Sequence, residues 1–155
     1  MTQNSVVILA ARRTPIGSML GTFATVAAPA LGATALRAAI AAAGADPAAI
    51  DEVVMGCVLP AGQGQAPARQ AAIAAGVPIS VPATTINKMC GSGMKAVMLA
   101  SDQIAAGGAA LVLAGGMESM TSAPYLLLKA RAGYRMGHGE IIDHMFYDGL
   151  QSPWD

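Results

Sequence analysis

Short apolar runs alternating with alanine-rich helical segments that stop at glycine restrict this 155-residue chain to few folds. Residues 5–10, 52–59, 83–88 and 109–114 read as strands that are apolar throughout rather than on alternate positions, the pattern of strands covered on both faces. Between them lie helical stretches over 31–43, 67–75 and 92–106, stopped by Gly44, Gly76 and Gly107. Asp46-Pro47 follows the first helix in the order of an N-cap and a proline at the first helical position, which predicts a brief turn. Strand-helix-strand units of this kind pair in parallel and carry their helices on the faces of the sheet. The fold class is α/β, with a mostly parallel sheet in a layered α-β-α core.

Composition narrows the function classes. Nine basic and nine acidic residues balance, so there is no electrostatic argument for nucleic acid or an anionic membrane surface. Charged residues are 12% of the chain, against about 25% in an ordinary globular domain, which points to a doubly covered sheet, an oligomer interface, or both. Every apolar run is broken well before the roughly 18 residues of a membrane span, and the first residues have neither a signal-peptide nor a transit-peptide pattern, so a cytoplasmic location is expected. Cys57 and Cys90 are then expected to be free thiols.

The organisation changes after Met120. Residues 1–120 read as one core domain. Residues 121–155 read as the start of a separate unit, for they mix aromatics, histidines, glycines and charges without a sustained period. Five of the six aromatic residues lie there and need something to bury them. The candidates are a partner subunit or further chain beyond Ser152-Pro153-Trp154-Asp155, which has no feature of a natural terminus.

The stretch Asn87-Lys88-Met89-Cys90-Gly91-Ser92-Gly93 carries the chemistry. A cysteine where a strand hands over to a helix sits among unpaired N–H groups at the positive end of the macrodipole, which favours the thiolate that makes a nucleophile. Gly91 and Gly93 clear side chains from around the sulfur. The same local pattern also fits a small buried cysteine in a strand-helix turn.

The wider sequence resembles the thiolase family, the acetyl-CoA acetyltransferases in particular. The match runs through Arg13-Thr14-Pro15-Ile16-Gly17, Gly64-Gln65-Ala66-Pro67-Ala68-Arg69-Gln70-Ala71, the cysteine motif, and Gly115-Gly116-Met117-Glu118-Ser119-Met120. Gly133-Tyr134-Arg135-Met136-Gly137-His138-Gly139 with Asp143-His144-Met145 is similar to the opening of that family's loop domain, which covers the active site and contributes to tetramer contacts. The resemblance implies a thiolase-like core truncated before the second half. It implies Claisen condensation or thiolytic cleavage of 3-ketoacyl-CoA through an acyl-thioester on Cys90, as in fatty acid metabolism. Coenzyme A thioesters are the implied substrates, with no tightly bound cofactor and no metal, in a homodimer or homotetramer. The family's histidine and second cysteine belong to a C-terminal half and match no residue here, which implies that this half alone is inactive. The alternative is a non-catalytic truncated or split subunit, a structural partner for a C-terminal half. A condensing enzyme of ketosynthase type is a weaker alternative, disfavoured by the Cys-Gly-Ser-Gly and Gly-Gly-Met-Glu-Ser-Met pair.

Other candidates read as structural. His138 and His144 stand at i, i+6, poor spacing for one helix face or a metal pair. Cys57, among valines, is expected in the core, without an activating helix terminus. Glu118 must be paired or exposed, and the structural role is favoured over one in orienting an active-site loop. Met89, Met94, Met98, Met117 and Met120 read as core before they read as an adaptable site lining. Arg69 reads as a helix-packing or salt-bridge residue rather than an anion contact. Gly115-Gly116 lacks the third glycine of a dinucleotide fingerprint, which argues against nicotinamide.

Overall fold

The computed structural model describes residues 5–154. Three strands, β1 (Glu52–Gly56), β2 (Ala83–Ile86) and β3 (Val112–Gly116), form a parallel sheet in the order β2-β1-β3. Val54 lies opposite Thr84 on one side and Ala114 on the other. Three helices accompany it: α1 (Ala28–Ala43), α2 (Pro67–Ala75) and α3 (Ser92–Ala105). The chain leaves β1 for β2 through α2, then returns across β1 to β3 through α3. Right-handed crossovers in opposite directions place α2 and α3 on opposite faces. Packing follows that rule: α2 lies on β1 and β2 with α1 against it, and α3 lies on β1 and β3. The layered α/β class read from the sequence is thus the architecture found.

The core is centred on β1. Val53, Met55 and Cys57 face the α1/α2 layer, where they join Leu36, Ile40, Ala68, Ala71, Ala72 and Ala75. Small alanines at the contact bring α2 close to the sheet. Burying Val53 and Met55 contributes about 1.5–3 kcal/mol each. Val54 and Gly56, of opposite parity, face α3, whose Ala96 and Ala100 are buried.

Three of the expected element boundaries moved where a side chain took a backbone group. α1 begins at Ala28 rather than at residue 31, for the Ala28 amide donates to Gln63 Oε1 (3.2 Å), a cap from a distant loop. β1 stops at Gly56 rather than 59 because the Val58 and Leu59 amides donate to Glu118. β3 begins at Val112 rather than 109, the Ala110 and Leu111 amides being held by Asp51 Oδ2 at 2.7 and 3.0 Å. Those two bonds, led by Leu111, hold the Asp51 carboxyl below its usual value. β2 gives way after Ile86 to a turn built on Asn87. The turn expected at Asp46-Pro47 is present, capped by Asp46.

The reading of residues 5–10 as a buried strand is corrected. This segment has no ladder partner among the described residues, and residues 5–9 are exposed, Ile8 at 78%. An apolar run becomes a strand only where an edge receives it. In the tail, β4 (Tyr125–Leu126) and β5 (Ile142–Asp143) form a short antiparallel pair, followed by a wide, π-type helical turn over Met145–Leu150. All five aromatic side chains of the tail are exposed. Among the described residues no helix is long and apolar enough to cross a membrane.

Candidate active site

The Asn87–Gly91 stretch folds as a tight elbow between β2 and α3. Asn87 Oδ1 accepts the Met89 amide at 2.8 Å, closing an Asx turn. Ser92 Oγ, buried, accepts the Lys88 amide (2.9 Å) and donates to the Met89 carbonyl (2.6 Å). Held at both ends, Met89 adopts a φ of +48°, which a side-chain-bearing residue takes only under constraint. Gly91 is the N-cap of α3, so Cys90 stands immediately before the helix and is exposed. The reading of Cys90 as a buried turn cysteine is thereby excluded.

Three glycines form the floor beneath the elbow. A Cβ on Gly56 would lie 2.5 Å from Ser92 Cβ and 2.7 Å from the Ser92 carbonyl carbon, and one on Gly116 would lie 3.2 Å from Gly93 Cα. The first turn of α3 therefore rests directly on the carboxyl ends of β1 and β3, where open α/β sheets place their ligand crevices. Above this floor opens a cavity of about 410 Å³, lined by Cys90, Ser92, Glu118, the glycines, and apolar side chains from Val58, Leu59, Met89, Met117, Met120, Met145 and Leu150. Cys90 and Glu118 are the ionisable residues of that lining.

Glu118 is engaged with backbone. Oε2 accepts the Val58 amide at 2.7 Å and Oε1 the Leu59 amide at 3.0 Å, with Cys57 Sγ 3.6 Å from Oε1. Burial, then the Glu118 charge and hydrogen bond, push the Cys57 thiol up to about 12. The two sulfurs thus have opposite environments: Cys57 a protonated core thiol, Cys90 an exposed one at a cavity.

The histidines stay away from that cavity's lining. His144 is 5% exposed, with Nδ1 2.5 Å from Asp148 Oδ2 and Nε2 without a partner among the described residues. His138 is exposed beside a separate hollow with Lys129, Tyr134 and Glu140. Arg69 donates to the Val81 and Ile79 carbonyls, a clamp on the loop before β2. It is a loop-holding residue rather than a helix-packing one, and no acidic partner meets it among the described residues. Gln70 does the same on the other side, donating to the carbonyls of Gln63 and Gln65. The Gly64-to-Ala71 motif is therefore a loop-holding device. The reading of the methionines as core holds for Met117 alone; Met89, Met94, Met98 and Met120 are exposed, Met94 at 74%.

Comparison with known proteins gives this geometry a family. The description "Thiolase, N-terminal domain" matches residues 6–155. The chain belongs to the thiolase family. Among curated thiolase relatives, an acetyl-CoA acetyltransferase of Cupriavidus necator is 54% identical over 150 residues, covering 97% of this chain and 37% of the relative. One from Pseudomonas aeruginosa is 51% identical with the same coverage, and acetyl-CoA acetyltransferase 1 of Arabidopsis thaliana is 51% identical over 97% of this chain and 35% of its own length. The chain thus spans little more than a third of the relatives it matches.

Within this thiolase domain, sequence reasoning singled out Cys90, Gly93 and Gly116 and missed Gly56, Ser92 and the wall formed by Leu59, Met145 and Leu150. Gly56 carried a readable signal, since a lone glycine inside an apolar strand marks a close backbone approach. Leu59 and the 145–150 turn carried none, because their meeting is a tertiary event.

Proposed function

We propose that this chain carries the acyl-accepting nucleophile of a thiolase-type acyl-CoA acetyltransferase, with Cys90 as the residue that takes the acyl group. The observation that supports this most is an exposed sulfur on a constrained elbow, lining an apolar cavity over a glycine floor. The thiolate attacks the carbonyl carbon of a coenzyme A thioester, the new S–C bond forms, and the coenzyme A sulfur leaves with the electron pair and takes up a proton. A cysteine suits this exchange because the enzyme thioester is close in energy to the one it replaces. The Cys90 amide at the head of α3 is the chain's own candidate donor to the developing oxyanion. Acetyl-CoA and 3-ketoacyl-CoA are the substrates under this reading, no bound cofactor takes part, and the working form is a homodimer or homotetramer.

Neither histidine lines the Cys90 cavity and both oxygens of Glu118 are taken up by backbone amides, so among the described residues no base is placed for repeated proton transfer. Acylation without turnover is expected, and in the full reaction the family's C-terminal histidine and second cysteine supply the base and acid. The second reading, a structural partner for a separate C-terminal half, is favoured by the apolar side chains left exposed.

The test is incubation with acetyl-CoA followed by peptide mass mapping. A single hydroxylamine-labile acetyl group on Cys90, absent in Cys90→Ala, with no sustained acetoacetyl-CoA thiolysis, is the expected result. Acetyl found mainly on Cys57 or on lysines would overturn the assignment.

A further inference from the structure

Glu118 is the one ionisable residue of the cavity that the proposed reaction does not use. Its carboxylate stands among apolar walls, yet it is directed at backbone: both oxygens accept, from the Val58 and Leu59 amides at 2.7 and 3.0 Å. Those amides are the ones that would have carried β1 two residues further, so Glu118 turns the chain out of the sheet at the floor of the cavity. The turn it creates is a wall, for the Val58 and Leu59 side chains line the cavity. Leu59, 1% exposed, also supports the facing wall, since a Cβ on Gly149 would stand 3.1 Å from Leu59 Cδ2. Met145 and Leu150, the apolar lining residues of that second wall, flank this contact within one wide helical turn.

We infer that Glu118 is a positioning residue that sets which acyl chains fit beside Cys90, by clamping the Val58-Leu59 turn against the 145–150 turn. It touches neither the sulfur nor, in this scheme, the acyl carbonyl. It works through the placement of Leu59, and a carboxylate suits the site because each of its oxygens meets one of the two amides in a charge-assisted bond. Glutamine keeps one neutral oxygen and turns an N–H₂ toward the other amide, a donor facing a donor. The acyl-chain part of the inference rests on the reading of Cys90 as the acylated residue.

Alkyl methanethiosulfonates of increasing chain length test it without coenzyme A. The Cys90 thiolate attacks the sulfenyl sulfur, a disulfide forms and methanesulfinate leaves, so the rate reports access of the alkyl chain to the cavity. Each methylene buried on the way is worth about fourfold, and the hexyl reagent should outpace the methyl reagent at Cys90 by roughly tenfold or more. In Glu118→Gln that ratio should fall to within about twofold, the loss appearing in the half-saturating concentration and not in the limiting rate. A wild-type chain with no length preference, or a preference kept in Glu118→Gln, overturns the inference. Should the variant fail to fold, amide exchange on the wild-type chain decides: Val58 and Leu59 as protected as the β1 amides supports the clamp, and exchange as fast as in the 133–139 loop refutes it. Absence of acetylation at Cys90 by acetyl-CoA, with the alkyl series behaving as expected, would remove the proposed function and the acyl-chain part of the inference, and leave the Glu118 clamp on the cavity wall standing.

Discussion

Cys57 and Cys90 are the same side chain in two environments, and the difference lies in their neighbours. Cys57 was legible as core because it continues an apolar run; that Glu118 stands beside it was not, since 61 residues separate them. Its raised value fixes a pH dependence. In the unfolded chain the thiol loses its proton above about its ordinary 9.0, whereas in the native state it keeps it to about 12. The stability from this group is therefore complete below pH 9 and declines as pH rises toward 12, at up to about 1.4 kcal/mol per unit. Denaturant titrations of wild type and Cys57→Ala between those limits should show the shallower decline in the variant. Parallel slopes would mean that the thiol does not keep its proton. Below pH 9, iodoacetamide should label Cys90 much faster than Cys57, and equal labelling would contradict the assigned environments.

Elements were read well in kind and less well in extent. The three sheet strands and three helices follow from apolar runs and glycine stops, which act within a few residues of themselves. Their ends were decided by Gln63, Glu118 and Asp51, side chains arriving from 35 to 60 residues away. The meeting of β1 with α3 is the most exposed to mutation, because at Gly56 two backbones touch. Gly56→Ala would put a methyl group into the Ser92 backbone, which cannot rotate aside, so overpacking of about 1–3 kcal/mol is expected. The displaced elbow should also slow Cys90 alkylation in folded material. A variant with wild-type melting temperature and unchanged Cys90 reactivity would show that the contact is looser than the structure places it.

For the molecule as a whole, surface area is the telling quantity. The chain exposes 10069 Å², whereas a folded monomer of 15.5 kDa exposes roughly 7,200 Å². Much of the excess is apolar: Val7, Ile8 and Leu9 in the unpaired segment, Met94, Val97 and Met98 along one face of α3, and the tail aromatics. With few charges to keep such faces apart, the isolated chain should self-associate, and light scattering should find species larger than one chain. Co-expression with the C-terminal part of a thiolase relative should reduce that association. A monodisperse monomer with a cooperative thermal transition would show the chain to be self-sufficient and would count against the second-half requirement.

By itself the sequence determined what depends on near neighbours: the α/β class, the kinds of element, the glycine stops, and the cysteine placed where a strand gives way to a helix. These follow from steric and capping preferences that act over a few residues. Tertiary structure decided what depends on distant meetings. It assigned Glu118 to the amides of residues 58 and 59, set Leu59 against Gly149, exposed four methionines read as core, and left residues 5–10 without an edge to join. Burial and pairing are properties of what lies opposite, and an apolar run records a capacity to be covered without naming the surface that covers it.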